Sequence, residues 1–197
     1  MDRVYIFSST FIQCHGKDSR NGNTGGGAVF LNDTKQCHQI HDCDFIGCYS
    51  GADGGALHLR NSEVTQTDGV ANTRFVGCKT LLSRASVEGG AVQSYNVAVT
   101  CHFSNCLTVK CTSYLCGGYL IQVRENSAVN MIVFSFFHDN YATDTGNDVG
   151  ITHIVQTNNV PLFSHCFSTT TTNRLSYYYN TWFRIVVDWF PHRNTVS

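Results

Sequence analysis

Apolar and polar positions alternate along this chain in short runs, and they do so without helical stripes. Ala56-Leu57-His58-Leu59-Arg60 is one such run, and Val92-Gln93-Ser94-Tyr95 followed by Val97-Ala98-Val99 is another. A period of two puts every second side chain on one face of a strand. The runs are rich in β-branched and aromatic residues and are bounded by Gly, Asn and Ser, the punctuation of short strands. No segment before Asn126 carries a convincing 3.6-residue stripe. The pattern predicts an all-β chain.

The runs belong to a two-part phrase that returns about every thirty residues. Phe11-Ile12-Gln13-Cys14 precedes Gly26-Gly27-Ala28-Val29, and Phe45-Ile46-Gly47-Cys48 precedes Gly54-Gly55-Ala56-Leu57. Phe75-Val76-Gly77-Cys78 precedes Gly89-Gly90-Ala91-Val92, and Phe103-Ser104-Asn105-Cys106 precedes Gly117-Gly118-Tyr119-Leu120. An altered fifth copy reads Phe137-His138-Asp139-Asn140 and then Gly146-Asn147-Asp148-Val149. The phenylalanines are 34, 30, 28 and 34 residues apart. That period is too short for a propeller blade of about forty residues. It fits a parallel β-helix, in which each coil supplies strands to long sheets and is its own return path.

Each half of the phrase has a physical reading. A coil corner needs backbone at φ > 0 and close approach to the next coil, and glycine permits both. The small Ala28, Ala56 and Ala91 then suit an interior position, so Tyr119 predicts a locally wider fourth coil or an outward ring. Residues three apart face opposite sides of a straight strand. Phe and Cys can both point inward only across a turn, which puts Phe on a strand and Cys at a corner. Cys14, Cys48, Cys78 and Cys106 are expected to form a cysteine ladder continued by Asn140. Five steps at the inter-strand spacing give a stack of about 25 Å.

Composition narrows the class further. Only 14% of residues are charged and the formal net charge is −1, so no basic stripe offers itself to nucleic acid. Ser, Thr and Asn number 52, the polar complement of turns and outer faces, and two prolines suit sheets that keep their donors. No apolar run approaches the length of a membrane span. Met1 to Phe7 is too short an apolar stretch for a signal peptide. Solenoid ends normally need caps, so a first repeat this close to Met1 suggests a fragment or a start inside a longer array. After Asn140 the phrase decays. Residues 1–150 read as the repeats, and 151–197 as a terminal coil with a capping, aromatic segment around Trp182 to Phe190. An interfacial anchor or an oligomer contact is the functional alternative for that segment.

The alternation of Phe-x-x-Asn/Cys with Gly-Gly-Ala-Val/Leu resembles the repeats of chlamydial polymorphic outer membrane proteins. It is still more similar to the Pmp-like surface proteins of trichomonad parasites. The resemblance covers about Phe11 to Val149, including the Asn140-Tyr141-Ala142…Gly146-Asn147-Asp148-Val149 ending. It implies a right-handed parallel β-helix at a cell surface or secreted, with roles in adhesion to host cells. Cys stands where the bacterial motif has Asn, which favours a eukaryotic relative. No secretion signal, membrane anchor or autotransporter barrel is read in the chain.

Candidate chemistry is sparse. The ten cysteines follow the repeat, and the preferred reading is mostly free, buried thiols acting as small hydrophobes. One or two disulfides are the alternative, with Cys101, Cys106, Cys111 and Cys116 as participants. Cys37, His38, His41 and Cys43 lie within seven residues, but without zinc spacing they read first as a polar loop. A hydrolase would need paired carboxylates, and a lyase an Asp cluster with a basic residue. Asp42 and Asp44 alone lie two apart on one expected strand face, near His41. Convergence of that pair with His58 and an Arg would favour an enzyme. The sequon Asn32-Asp33-Thr34 is expected in a loop.

The sequence therefore predicts an all-β, right-handed parallel β-helix of about five coils with a non-repeating C-terminal segment. The expected function is non-enzymatic: an adhesin-like binding or scaffold module, or a fragment of one, with no catalytic, cofactor or metal residues. A host-cell protein or glycan is the expected partner, and oligomers through the end strands are an option. The alternative is a polysaccharide lyase or glycoside hydrolase on the same fold.

Overall fold

The computed structural model describes residues 4–16, 25–32, 38–60, 69–81, 89–95, 102–122, 131–143, 148–152, 162–168, 175–177 and 187–191. They form a parallel β-solenoid, with no helix among them. No helix of the described residues is long and apolar enough to cross a membrane.

Four ladders run along the stack. The first joins Tyr5–Phe7, Gln39–His41, Val70–Ala71, His102–Ser104 and Met131–Val133. The second joins Thr10–Ile12, Asp44–Ile46, Arg74–Val76, Leu107–Val109 and Phe136–His138. The third joins His15–Gly16, Tyr49–Ser50, Lys79–Thr80, Thr112–Ser113 and Tyr141–Ala142. The fourth joins Val29–Asn32, Leu57–Arg60, Val92–Tyr95, Tyr119–Gln122, Val149–Thr152 and Leu175–Tyr177. Above them the seven-residue strand Leu162–Ser168 pairs with both the first and the second ladder, and Val187–Pro191 pairs parallel with it.

Each coil therefore turns twice where the sequence shows one Phe-x-x-Cys. Between the first and second ladders the backbone enters the left-handed region at Ser8, Asp42, Asn72, Asn105 and Phe134, with φ from 45° to 55°. Between the second and third it does so at Gln13, Gly47, Gly77, Lys110 and Asp139, with φ from 50° to 61°. The strain of that conformation falls on residues with a side chain. Asp and Asn accept it best because their short polar groups bond locally, and here they also bond upward. The Asn72 amide donates to Asp42 at 3.2 Å, and the Asn105 amide donates to Asn72 at 2.7 Å.

The residue after each left-handed one points inward and is Ser9, Cys43, Thr73, Cys106 or Ser135 at one corner, and Cys14, Cys48, Cys78, Cys111 or Asn140 at the other. The cysteine ladder thus passes through Cys111 where Cys106 was expected; Cys106 belongs to the neighbouring corner. The requirement is a short side chain that donates to nearby carbonyls. Thr73 donates to Ala71 at 2.8 Å, and Cys43 to His41 at 3.1 Å. Most corner thiols also reach the carbonyl of the inward strand residue one coil below, as Cys48 does to Phe11, Cys78 to Phe45 and Cys111 to Phe75.

The phenylalanine column needs the same correction. Phe11, Phe45 and Phe75 are in register, with rings stacked at 4.8 and 5.1 Å. The next place is held by Thr108, and Phe137 follows it. Phe103 lies in the first ladder between Val70 and Ile132. Its tetrapeptide matches the motif because both corners obey one grammar.

Tyr119 explains how the fourth coil tolerates a threonine in that column. Its strand register places it with Val92 and Val149, one step away from the small-residue position, which Gly118 occupies. The coil is not opened and the ring does not point out: Tyr119 is buried, set edge-on between Phe75 and Phe137 at 5.9 and 5.3 Å. Large Tyr119 and small Thr108 replace the large Phe75 and small Val92 of the coil below, keeping core volume nearly constant.

The second glycine of each pair is where coils touch most closely. A Cβ on Gly27, Gly55 or Gly90 would lie about 2 Å from a carbonyl oxygen of the adjacent coil. The first glycine supplies the left-handed turn at Gly26, Gly54 and Gly89. In the fourth coil Cys116 stands in that place, its carbonyl accepting from Gly90 N at 2.7 Å. Asp148 continues the column of Ala28, Ala56, Ala91 and Gly118, fully buried. It accepts hydrogen bonds from the Asn140 amide at 3.1 Å and the Ser168 hydroxyl at 2.5 Å.

The eight described cysteines are all free thiols. Burial pushes Cys43 up, and pushes Cys106 up to about 11. The Cys78 thiol raises Cys48, and the Cys111 thiol raises Cys78, with burial adding to both. Cys14 is raised by burial too, yet it alone of the eight is only half-buried. Native alkylation followed by peptide mass spectrometry is expected to label Cys14 well before the other seven, since thiolate and access together set the rate. Equal labelling of Cys48 or Cys78 would contradict this packing.

Candidate functional site

The third ladder presents the most developed outer surface. Along its outward column lie His15, Tyr49, Lys79, Thr112 and Tyr141, one per coil. His15 stacks on Tyr49 at 4.4 Å, and the Lys79 ammonium lies 5.9 Å from the same ring. That is a cation–π geometry on an exposed face. Just beyond this column, where the strands end, a groove of about 340 Å³ crosses three consecutive coils. Thr80 and Leu81 line it from one coil, Thr112, Ser113 and Tyr114 from the next, and Tyr141 and Thr143 from the third. Leu81 and Tyr141 are exposed. The Thr80 hydroxyl oxygen is shielded from solvent and finds no hydrogen-bond partner among the described residues. Among the described residues no ionisable group other than the two phenols lines the groove.

The residues singled out in the sequence are dispersed. Asp42 and Asp44 do not share a strand face: Asp42 is the left-handed corner residue and Asp44 opens the next strand. Asp42 accepts from Asn72. Asp44 takes both Nε and one terminal nitrogen of Arg74 at 2.5 Å, the in-register residue one coil away. The Arg74 hydrogen bonds hold the Asp44 carboxyl below its ordinary range. His58 lies on the fourth ladder, its ring 5.0 Å from Phe30. Asp42 and Asp44 belong to the first two ladders, so the pair and His58 have separate surroundings.

His38 is buried, and its Nδ1 accepts from Val4 N at 3.1 Å. His41 stands edge-on to Phe7 at 5.4 Å, and Cys43 donates to the Ile6 and His41 carbonyls. Cys37 and Cys101 lie outside the described residues. No group of three metal-ligating side chains occurs among the described ones. Cys106, Cys111 and Cys116 occupy successive turns of one coil, which accounts for their five-residue spacing. Asn32 is the exposed last residue of its strand, and Asp33 and Thr34 lie outside the described residues.

His58 has a measurable consequence. It is buried, with neither ring nitrogen hydrogen-bonded among the described residues, and a Cβ at Gly25 would overlap its Nδ1. Burial, with the Arg60 charge adding to it, lowers its pKa from 6.5 to about 3. The unfolded chain therefore binds the proton first, so this contribution is full above about pH 6.5 and lost as pH falls towards 3. Burial also lowers His38, which adds in the same direction. Between those two values the His58 proton gives a slope of up to about 1.4 kcal/mol per pH unit. His58→Gln borrows the residue that the next coil carries in register, Gln93. Urea midpoints at pH 6.5 and pH 5 are expected to converge in this variant; an unchanged acid limb would refute the assignment.

Sequence reasoning missed the groove, because its residues come from three coils and look in the sequence like ordinary turn residues. The five-residue interval between corners was the available signal. No family model, curated protein or solved structure matches the chain.

Proposed function

We propose that the chain is a non-catalytic recognition module, an adhesin-like surface scaffold whose outer face and coil edges contact a host-cell protein or glycan. The observation that carries this reading is the third-ladder face with its adjoining groove. Stacked His15 and Tyr49, the Lys79 cation and a run of hydroxyls give a rigid, flat surface with aromatic anchors, the chemistry that recognition sites use. The rigidity comes from the coil stack, so little ordering entropy is lost on contact. The fate of the carboxylates agrees with this reading: Asp44 is engaged by Arg74 and Asp42 by Asn72, both as links between coils. Display at a cell surface follows from the resemblance to Pmp-like proteins and is part of the same proposal.

The test uses the full chain, fluorescently labelled, on cultured epithelial cells. Saturable binding that the unlabelled protein competes away, and that Asp42→Asn/Asp44→Asn retains, is the expected result. Absence of binding would overturn the reading. So would release of reducing ends or unsaturated uronate from polygalacturonate, if the Asp42/Asp44 double variant abolished it.

A further inference from the structure

The geometry points to the groove beside the third ladder as a binding site for a short, neutral oligosaccharide. This deepens the recognition reading and rests on it. Thr112, Ser113 and Thr143 bring hydroxyl side chains to the groove, together with the phenol rings of Tyr114 and Tyr141. A sugar ring presents alternating hydroxyls and a C–H face, so it needs hydroxyl partners and an aromatic platform at the same place. The groove has both, and its volume falls at the lower end of small-molecule sites. Tyr141, 58% exposed, offers a ring face to solvent without needing to move.

Length and charge narrow the ligand. Lining residues come from three successive coils, a reach of about 10 Å between the outer strands, which suits a chain of two or three sugar units better than a single ring. Among the described residues no carboxylate, ammonium, guanidinium or imidazole lines the groove. A uronate or sialate would be desolvated there without a counter-charge, a cost that a neutral sugar does not meet. A peptide strand would add along the edge strand Tyr141–Ala142, parallel to one coil, whereas the groove crosses three coils.

Saturation-transfer NMR on the full chain with maltotriose, cellotriose and β-1,4-galactotriose as probes, and trigalacturonate as the charged comparator, tests this. The expected result is transfer to at least one neutral trisaccharide, none to trigalacturonate, and a loss of at least tenfold in affinity with Tyr141→Ala. The substitution is at an exposed site, and an unchanged thermal midpoint verifies the fold. Thr112→Val, which removes one hydroxyl, is expected to weaken the same binding. Transfer that survives Tyr141→Ala, transfer to trigalacturonate only, or no transfer to any neutral probe would each overturn the inference. Cell binding that persists alongside such a failure leaves the recognition reading intact and places its contacts elsewhere on the surface.

Discussion

Replacing Gly90 with alanine is expected to destabilise the protein by at least about 3 kcal/mol. The added Cβ would stand 2.1 Å from the Gly117 carbonyl oxygen and 2.7 Å from that of Thr112. Both are backbone atoms of the next coil. Neither can yield without separating two coils along the whole stack, because Gly90 N is itself bonded to Cys116 O. Gly77→Ala supplies the comparison. Gly77 is left-handed at φ 61°, but nothing lies within 4 Å of where its Cβ would be. Its cost is the backbone strain alone, roughly 1–2 kcal/mol. Gly77→Asn should cost less still, since Asn72 and Asn105 hold the same conformation at the neighbouring corner. Urea midpoints separate these cases. If Gly90→Ala proves no worse than Gly77→Ala, the close approach of coils at the diglycine is wrong.

The second large effect lies in the fourth coil. Tyr119→Val is expected to lose about 3–5 kcal/mol, the range for deleting a buried aromatic ring. The ring fills the space between Phe75 and Phe137 and also meets Phe103 at 5.0 Å. Thr108→Phe alone should also destabilise, by about 1–3 kcal/mol or more, because Tyr119 already occupies the volume that the new ring needs. Together the two substitutions recreate the Phe75 and Val92 arrangement of the coil below. The double variant is therefore expected to be more stable than Tyr119→Val alone, with a coupling of at least about 2 kcal/mol. Additive losses would mean that the two side chains do not share one space. Burial raises the Tyr119 phenol well above its ordinary value, so this tyrosine should also resist titration in base until the fold is lost.

Both effects bear on what the residues disclosed before the fold was known. The thirty-residue period and the alternating runs were enough for a parallel β-solenoid, because neither feature has another economical packing. The register of the fourth coil was not legible from the motif. Phe103-Ser104-Asn105-Cys106 and Ile40-His41-Asp42-Cys43 are the same corner two coils apart, with Val70-Ala71-Asn72-Thr73 between them, whereas Thr108-Val109-Lys110-Cys111 is the true partner of Phe75-Val76-Gly77-Cys78. A threonine concealed the match, and tertiary packing through Tyr119 made that threonine acceptable. The diglycine misled in a related way. Cys116-Gly117-Gly118 slides by one residue against Gly89-Gly90-Ala91, so that the small position falls on Gly118 and Tyr119 becomes a core residue.

The candidate site was less legible than the fold. A groove made by turn residues of three coils has no signature in any one of them. The chemistry that did stand out, Asp42 with Asp44 and Cys43 beside them, is drawn towards the corners for a different reason. Left-handed turns favour Asp and Asn, and the inward place beside them favours a small donor such as Cys. Pairing of Asp44 with Arg74 across coils serves the same ladder.

The most direct test of the register is a nuclear Overhauser spectrum of protein carrying protonated Val, Ile and Thr methyls and Phe rings in a deuterated background. The Phe103 ring is predicted to show contacts to the methyls of Val70 and Ile132, its neighbours in the first ladder. The Thr108 methyl is predicted to show contacts to the rings of Phe75 and Phe137. Contacts from Phe103 to Phe75 and Phe137, with none to Val70 or Ile132, would contradict the two-corner coil and the placement of every residue argued from it.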